Sequence, residues 1–143
     1  CNSMKKTING ILYILLAALF FTACNNDDNL QEIFIDRNWT LSFIQEGNEK
    51  TVPEKVEYTI LFKNGTFTLT TPGSATITGN WQADGGTRRF TCSNINTKGN
   101  INNDNIAKKM RNMLQNAILY SGDANWLQII VQQGNAFMQF YNK

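Results

Sequence analysis

The chain has no histidine, only two prolines and only three cysteines in 143 residues. Without imidazole it lacks the commonest general base and metal ligand near neutral pH, and with it Ser-His-Asp and Cys-His catalysis and most zinc sites. Charged residues are also sparse at 17%. No Lys/Arg cluster interleaved with aromatics occurs; Lys108, Lys109 and Arg111 read as the wet face of a helix, which argues against a nucleic-acid partner. No Gly-x-Ser-x-Gly elbow surrounds Ser42, Ser74, Ser93 or Ser121, and no glycine-rich loop is present to cradle phosphates. The longest apolar run, Ile11 to Phe21, is too short to cross a bilayer, which takes about 20 residues.

That run has a different meaning. Lys5 and Lys6 precede it and Thr22-Ala23-Cys24 follow it, the layout of a secretory leader. Small residues before the cysteine resemble the bacterial lipobox, in which the thiol is acylated and the chain is cut just ahead of it. Residues 4–23 therefore read as a lipoprotein signal peptide and Cys24 as the lipidated first residue. The polar stretch Asn25 to Asn29 resembles the acidic signal that sends lipoproteins of the Bacteroidetes to the outer face of the outer membrane. Residues 24–37 read as the lipidated cysteine and a polar tether.

Removing the leader leaves 120 residues, enough for one domain with a genuine core, at 38–143. Lys5 and Lys6 leave with it, so 11 basic residues face 11 acidic ones. The residues ahead of Met4 read as an over-extended start, so Cys1 counts toward no disulfide; with Cys24 acylated, Cys92 stands alone. It reads as a small buried hydrophobe.

From Trp39 onward short segments rich in Thr, Ile, Phe, Tyr and Trp alternate with Gly and Asn turns, the pattern of antiparallel sheet. Trp39-Leu41-Phe43 and Tyr58-Ile60-Phe62 form period-two stripes. Asn64-Gly65 suits a two-residue type I′ hairpin turn. Ala75, Ile77, Gly79 and Trp81 share one face, Phe90 and Cys92 another, and a polar loop is expected from Ile95 to Asn103. Asp104 is positioned to cap an amphipathic helix near 104–116, with Ile106, Met110, Met113, Leu114 and Ala117 on its apolar side. Three segments finish the chain: Ala117–Ser121, Trp126–Val131 and Ala136–Tyr141. The expected class is mainly β, a small antiparallel barrel or half-barrel of about eight strands with one helix. Its many large inward residues favour a filled interior over a ligand cavity.

Several stretches resemble the META domain, a family of bacterial envelope and heat-shock-associated proteins: Trp39-Thr40-Leu41, Thr91-Cys92, the helix ending near Leu114, Leu119 to Asp123, Leu127-Gln128-Ile129, and Gly134 ahead of Met138-Gln139-Phe140. The middle, Phe62 to Phe67 and Gly79-Asn80-Trp81, is similar to lipocalin-like lipoproteins of the same kind of bacteria. Both resemblances imply a small antiparallel barrel and neither brings catalytic residues. The cysteine that META domains often carry ahead of the Gly-Asn-Trp position is missing here.

The expected function is that of a non-catalytic envelope or surface lipoprotein, held to the bacterial outer membrane through Cys24. It would bind a partner protein or a small apolar ligand, or support the envelope under stress, with no cofactor and no metal. An inhibitor or accessory subunit using the Ile95–Asn103 loop is the alternative. A hydrolase would need paired carboxylates; Glu54 with Glu57, and Asp84 beside Arg88 and Arg89, are the only groupings available, and solvated turn and edge charges explain them better.

Overall fold

The computed structural model describes residues 27–143. The leader and Cys24 lie outside the described residues. A short helix α1 (Leu30–Ile33) is followed by β1 (Asn38–Glu46), β2 (Glu49–Thr51), β3 (Thr59–Phe62), β4 (Thr66–Thr70), β5 (Thr76–Ala83) and β6 (Phe90–Lys98). Helix α2 (Asn105–Gln115) then leads to β7 (Leu119–Gly122), β8 (Trp126–Gln132) and β9 (Ala136–Asn142).

All the strands belong to one sheet ordered β6-β5-β4-β3-β1-β9-β8-β7, with β2 paired to β1 as a side hairpin. Every neighbouring pair is antiparallel. The sheet curls until its two ends meet. Phe90 N–H donates to the Ile118 carbonyl at 3.0 Å and Tyr120 N–H to the Arg88 carbonyl at 3.0 Å, joining the start of β6 to β7. Curling in this way covers edges that would otherwise be open to another chain. The mainly β half-barrel with one amphipathic helix is thus the observed architecture.

Antiparallel order gives the barrel two distinct ends. The turns after β3, β5 and β7 lie where β1 begins, and those after β4, β6 and β8 lie at the other end. Helix α2 packs chiefly against β6 and also against β8 and β9. Asp104 caps it as expected, its carboxylate accepting from Ala107 N–H at 2.9 Å while also accepting from the Tyr58 hydroxyl at 2.7 Å. Burial, reinforced by that carboxylate, holds the Tyr58 phenol well above its ordinary range. Ala107, Met110, Met113 and Leu114 are the buried side of the helix; Ile106 is only partly covered.

Four expectations need correction. In β1 the pairing with β9 slips between Leu41 and Phe43, so the inward stripe passes from Leu41 to Ile44 and Phe43 leaves the core. A β-bulge of this kind reverses which side chains face inward beyond it. Phe43 instead stacks edge-on with Phe137 at 5.9 Å, with the Lys50 ammonium 4.2 Å from its ring centre. In the 63–66 turn Gly65 alone has positive φ, at 85°, so the turn is not type I′. The Lys63 carbonyl accepts from the Trp81 indole at 2.8 Å, which draws it away from the usual hairpin partner.

The third concerns the expected 95–103 loop, whose first four residues belong to β6 and pair with β5 as far as Lys98 opposite Thr76. The fourth concerns the tether. Residues 28–37 are part of the folded domain: Asn29 caps α1, Ile33 and Phe34 are buried, and Ile35 forms a parallel bridge with Phe62.

Candidate functional site

Phe34 fills the interior at the end of the barrel where β3 and β5 finish and β6 begins. It stacks on Phe90 at 5.6 Å, lies 4.8 Å from Trp81, and meets Phe62 and Tyr120 edge-on at 5.2 and 5.1 Å. These edge-on and offset geometries are the favoured ones for aromatic rings. Trp39, Phe62, Phe67, Phe90 and Phe140 are fully buried around it. At this end, where a carrier barrel would open to a ligand, Ile33 and Phe34 of the N-terminal segment are buried instead.

The segment is fastened at its outer end by Asp28. The carboxylate accepts from the Tyr120 hydroxyl at 2.8 Å and from Arg88 Nε at 3.0 Å and Nη2 at 3.4 Å, while its own backbone N–H donates to the Gly85 carbonyl at 3.1 Å. A Cβ on Gly85 would sit 2.6 Å from the Asp28 carbonyl, so this close approach of two backbones requires glycine. The turn itself is tied by Asp84, whose side chain accepts from Gly86 N–H at 2.8 Å and Thr87 N–H at 3.3 Å. Those backbone bonds lower the Asp84 pKa.

The hydrogen bond from Arg88 is the main cause holding the Asp28 carboxyl below its usual range, against a smaller opposing effect of burial. A carboxylate depressed in this way stabilises the fold above its unfolded pKa, and that contribution is lost as pH falls through the lower folded value. Asp28→Asn should therefore cost about 1 kcal/mol near neutrality, since Arg88 is largely exposed and its pair is screened. The gap between the two proteins should close below about pH 4. Urea midpoints measured from pH 7 to pH 2 would show it; an unchanged gap at pH 2 would mean that Asp28 acts only by shape. Tyr120 titrates well above the ordinary phenol range because it is buried and donates to Asp28.

The residues singled out from sequence do not converge. Glu57 forms an ion pair with Lys143 on the surface. Asp84 serves its own turn, while Arg88 turns to Asp28. Cys92 is free, and burial pushes its thiol up to about 12, far from a thiolate nucleophile. Among the described residues no group of three or more His, Cys, Asp or Glu side chains is placed to hold a metal ion. No helix among them is long and apolar enough to cross a membrane.

In the sequence Asp28 reads as part of a polar sorting signal, Tyr120 as part of the META-like stretch and Phe34 as tether, and none of the three carries a site role. The available signal was Ile33-Phe34-Ile35, three large apolar residues in a row where a solvated tether should have none. Outside the barrel, an open depression is lined by Thr40, Ser42, Pro53, Val56, Glu57 and Tyr141. Beside it Trp126 pairs across strands with Tyr141, and both rings are exposed.

The fold and these contacts define a small antiparallel barrel with a packed interior, stoppered by its own N-terminal segment. The chain belongs to the family described as a domain of unknown function, DUF4847, whose profile matches residues 52–142. Among solved structures it is similar to a DUF4847 family protein from Bacteroides vulgatus ATCC 8482, at 25% identity and a TM-score of 0.61, over 80% of this chain and 98% of that one. No curated protein matches it. The resemblances to META and lipocalin-like proteins rest on the short stretches quoted above.

Proposed function

We propose that this protein is a non-catalytic lipoprotein of the bacterial envelope, anchored through Cys24, whose barrel is a rigid module for binding another envelope component at its outer surface. The observation that carries the reading is the packed interior, capped at one end by Phe34 and filled further along by Leu69, Ile77, Met110 and Met138, all without exposed surface, which turns attention from an enclosed ligand to the exterior. The dispersed carboxylates and the protonated Cys92 support a non-catalytic role. The Bacteroides relative is in keeping with an outer-membrane lipoprotein of that group of bacteria, displayed on either face. The META likeness would add a role in envelope stress.

The accessory-subunit reading loses much of its loop, since Ile95 to Lys98 are strand and only residues 99–104 remain as a connection. Replacing Cys24 by alanine tests the anchor. In the native host the wild-type chain should take up labelled fatty acid and sediment with the outer membrane, whereas Cys24→Ala should take up none and be lost from the outer-membrane fraction, with its leader still attached. Equal labelling and sedimentation of both forms would overturn the anchor. Cross-linking in intact cells, followed by recovery of the barrel, tests the binding role; a barrel recovered only with small molecules lodged inside it would reject it.

A further inference from the structure

Only Asn25 and Asn26 separate Cys24 from Asp27, where the described chain begins. Even fully extended, the three residue steps from Cys24 to Asp27 span at most about 11 Å. Asp28 is held to the turn after β5 through Gly85 and Arg88, so the start of the folded domain cannot swing away from that turn. The headgroup layer itself is about 5–8 Å deep on each side. An acyl chain on Cys24 therefore leaves no room for a free tether and holds this end of the barrel at the membrane.

The same end carries exposed aromatic surface. Trp126 is the first residue of β8, directly after the β7–β8 turn, and Tyr141 is its partner near the end of β9. They are 38% and 40% exposed, with Leu127 and Phe140 beside them fully buried, so both rings face outward. Val56, 44% exposed, lines the depression beside Tyr141. Tryptophan and tyrosine are the residues that settle at headgroup level, where one edge is apolar and the other wet. Charges near the 84–89 turn are mixed, with Asp28, Asp84, Arg88 and Arg89 close together, so a neutral lipid surface suffices.

We propose that the barrel end formed by the turns after β3, β5 and β7 lies against the membrane that carries the acyl chains, with Trp126 and Tyr141 seated among its headgroups. The opposite end, with the turns after β4 and β8 and the connection to α2, then points away from the lipid and is the surface offered to partners. This orientation rests on acylation of Cys24 as proposed above.

The test uses the full lipoprotein purified from membranes and reconstituted in phosphatidylcholine vesicles brominated near the headgroup end of the acyl chains. The chain has three tryptophans, and Trp39 and Trp81 are buried in the core. Tryptophan emission should fall by about a third relative to unbrominated vesicles, as one ring in three reaches the lipid. Trp126→Phe should abolish that loss. An acylated protein, verified by mass, whose emission is unaffected by bromine, or a Trp126→Phe variant quenched as much as wild type, overturns the orientation while leaving the anchor intact. A mass showing no acyl group overturns the anchor and the orientation together.

Discussion

Phe34→Ala should cost about 3–5 kcal/mol, one of the largest effects a single substitution can have in this chain. Four aromatic rings lie within 5.6 Å of the Phe34 ring centre, and the ring has no exposed surface. Removing it forfeits its transfer from water and leaves a void walled by Phe62, Trp81, Phe90 and Tyr120. Those walls come from β3, β5, β6 and β7, whose backbones are fixed by the sheet, so collapse can fill little of the space. With a total stability of about 5–15 kcal/mol for a domain, the variant should melt roughly 10 to 25 °C lower. The void would also be apolar and enclosed. Benzene or a similar small aromatic should restore part of the lost melting temperature, as such cavities accept apolar guests. A thermal scan with and without benzene measures both. A drop of only a few degrees would mean that the Phe34 ring contributes little to holding the barrel together.

That prediction concerns a residue that sequence patterning assigned to a tether, and the reason is physical. Helix α1 is four residues long, too short to show a 3.6-residue period, and charged or polar residues flank its apolar run on both sides. What places Phe34 in the core is the space left by strands that come much later in the chain, and periodicity carries no information about that. Helix α2, by contrast, was legible to within a residue at each end, because Asp104 caps it and its apolar stripe runs over three turns. Eight of the strands were legible as strands from their β-rich runs and turn signals, whereas β2, three residues with none buried, carries no such signal and was not.

Register was less legible. The bulges in β1 and β6 add a residue to one strand of a pair, and each inverts the inward face beyond it without leaving a turn signal. This is why Phe43 and Ile44 exchange roles. The candidate site fared as the tether did. Asp28, Arg88 and Tyr120 are brought together only by the meeting of β6 with β7, across 92 residues in the longest pairing. The polar stretch that resembles a sorting signal begins, in the folded chain, as the latch of the barrel.

Gly79→Val is the second large effect, and it tests how tightly the bulge in β6 is built. Gly79 lies in the middle of β5 opposite the point where the pairing with β6 shifts, between Thr78 and Asn80. Its φ is not in the left-handed region, so the backbone there would accept any residue. The obstacle is space. A Cβ would sit 2.7 Å from Phe67 Cε2, 2.9 Å from its Cζ and 3.0 Å from the Ser93 carbonyl oxygen. Phe67 is itself buried in the core, against Phe62 at 6.3 Å, and Ser93 is held in the sheet by the bulge, so neither neighbour can give way cheaply. Gly79→Ala should cost about 1–3 kcal/mol, and Gly79→Val, with two further methyl groups, about 3 kcal/mol or more. Gly65→Ala offers the complementary control. Nothing lies within 4 Å of a Cβ there, but φ is +85°, so its cost should be limited to about 1 kcal/mol of backbone strain. Chemical denaturation of the three variants would rank Gly79→Val as the most costly, then Gly79→Ala, then Gly65→Ala. If Gly79→Val proved no worse than Gly65→Ala, Phe67 would have room to move, and the interior would be looser than the packing around Phe34 requires.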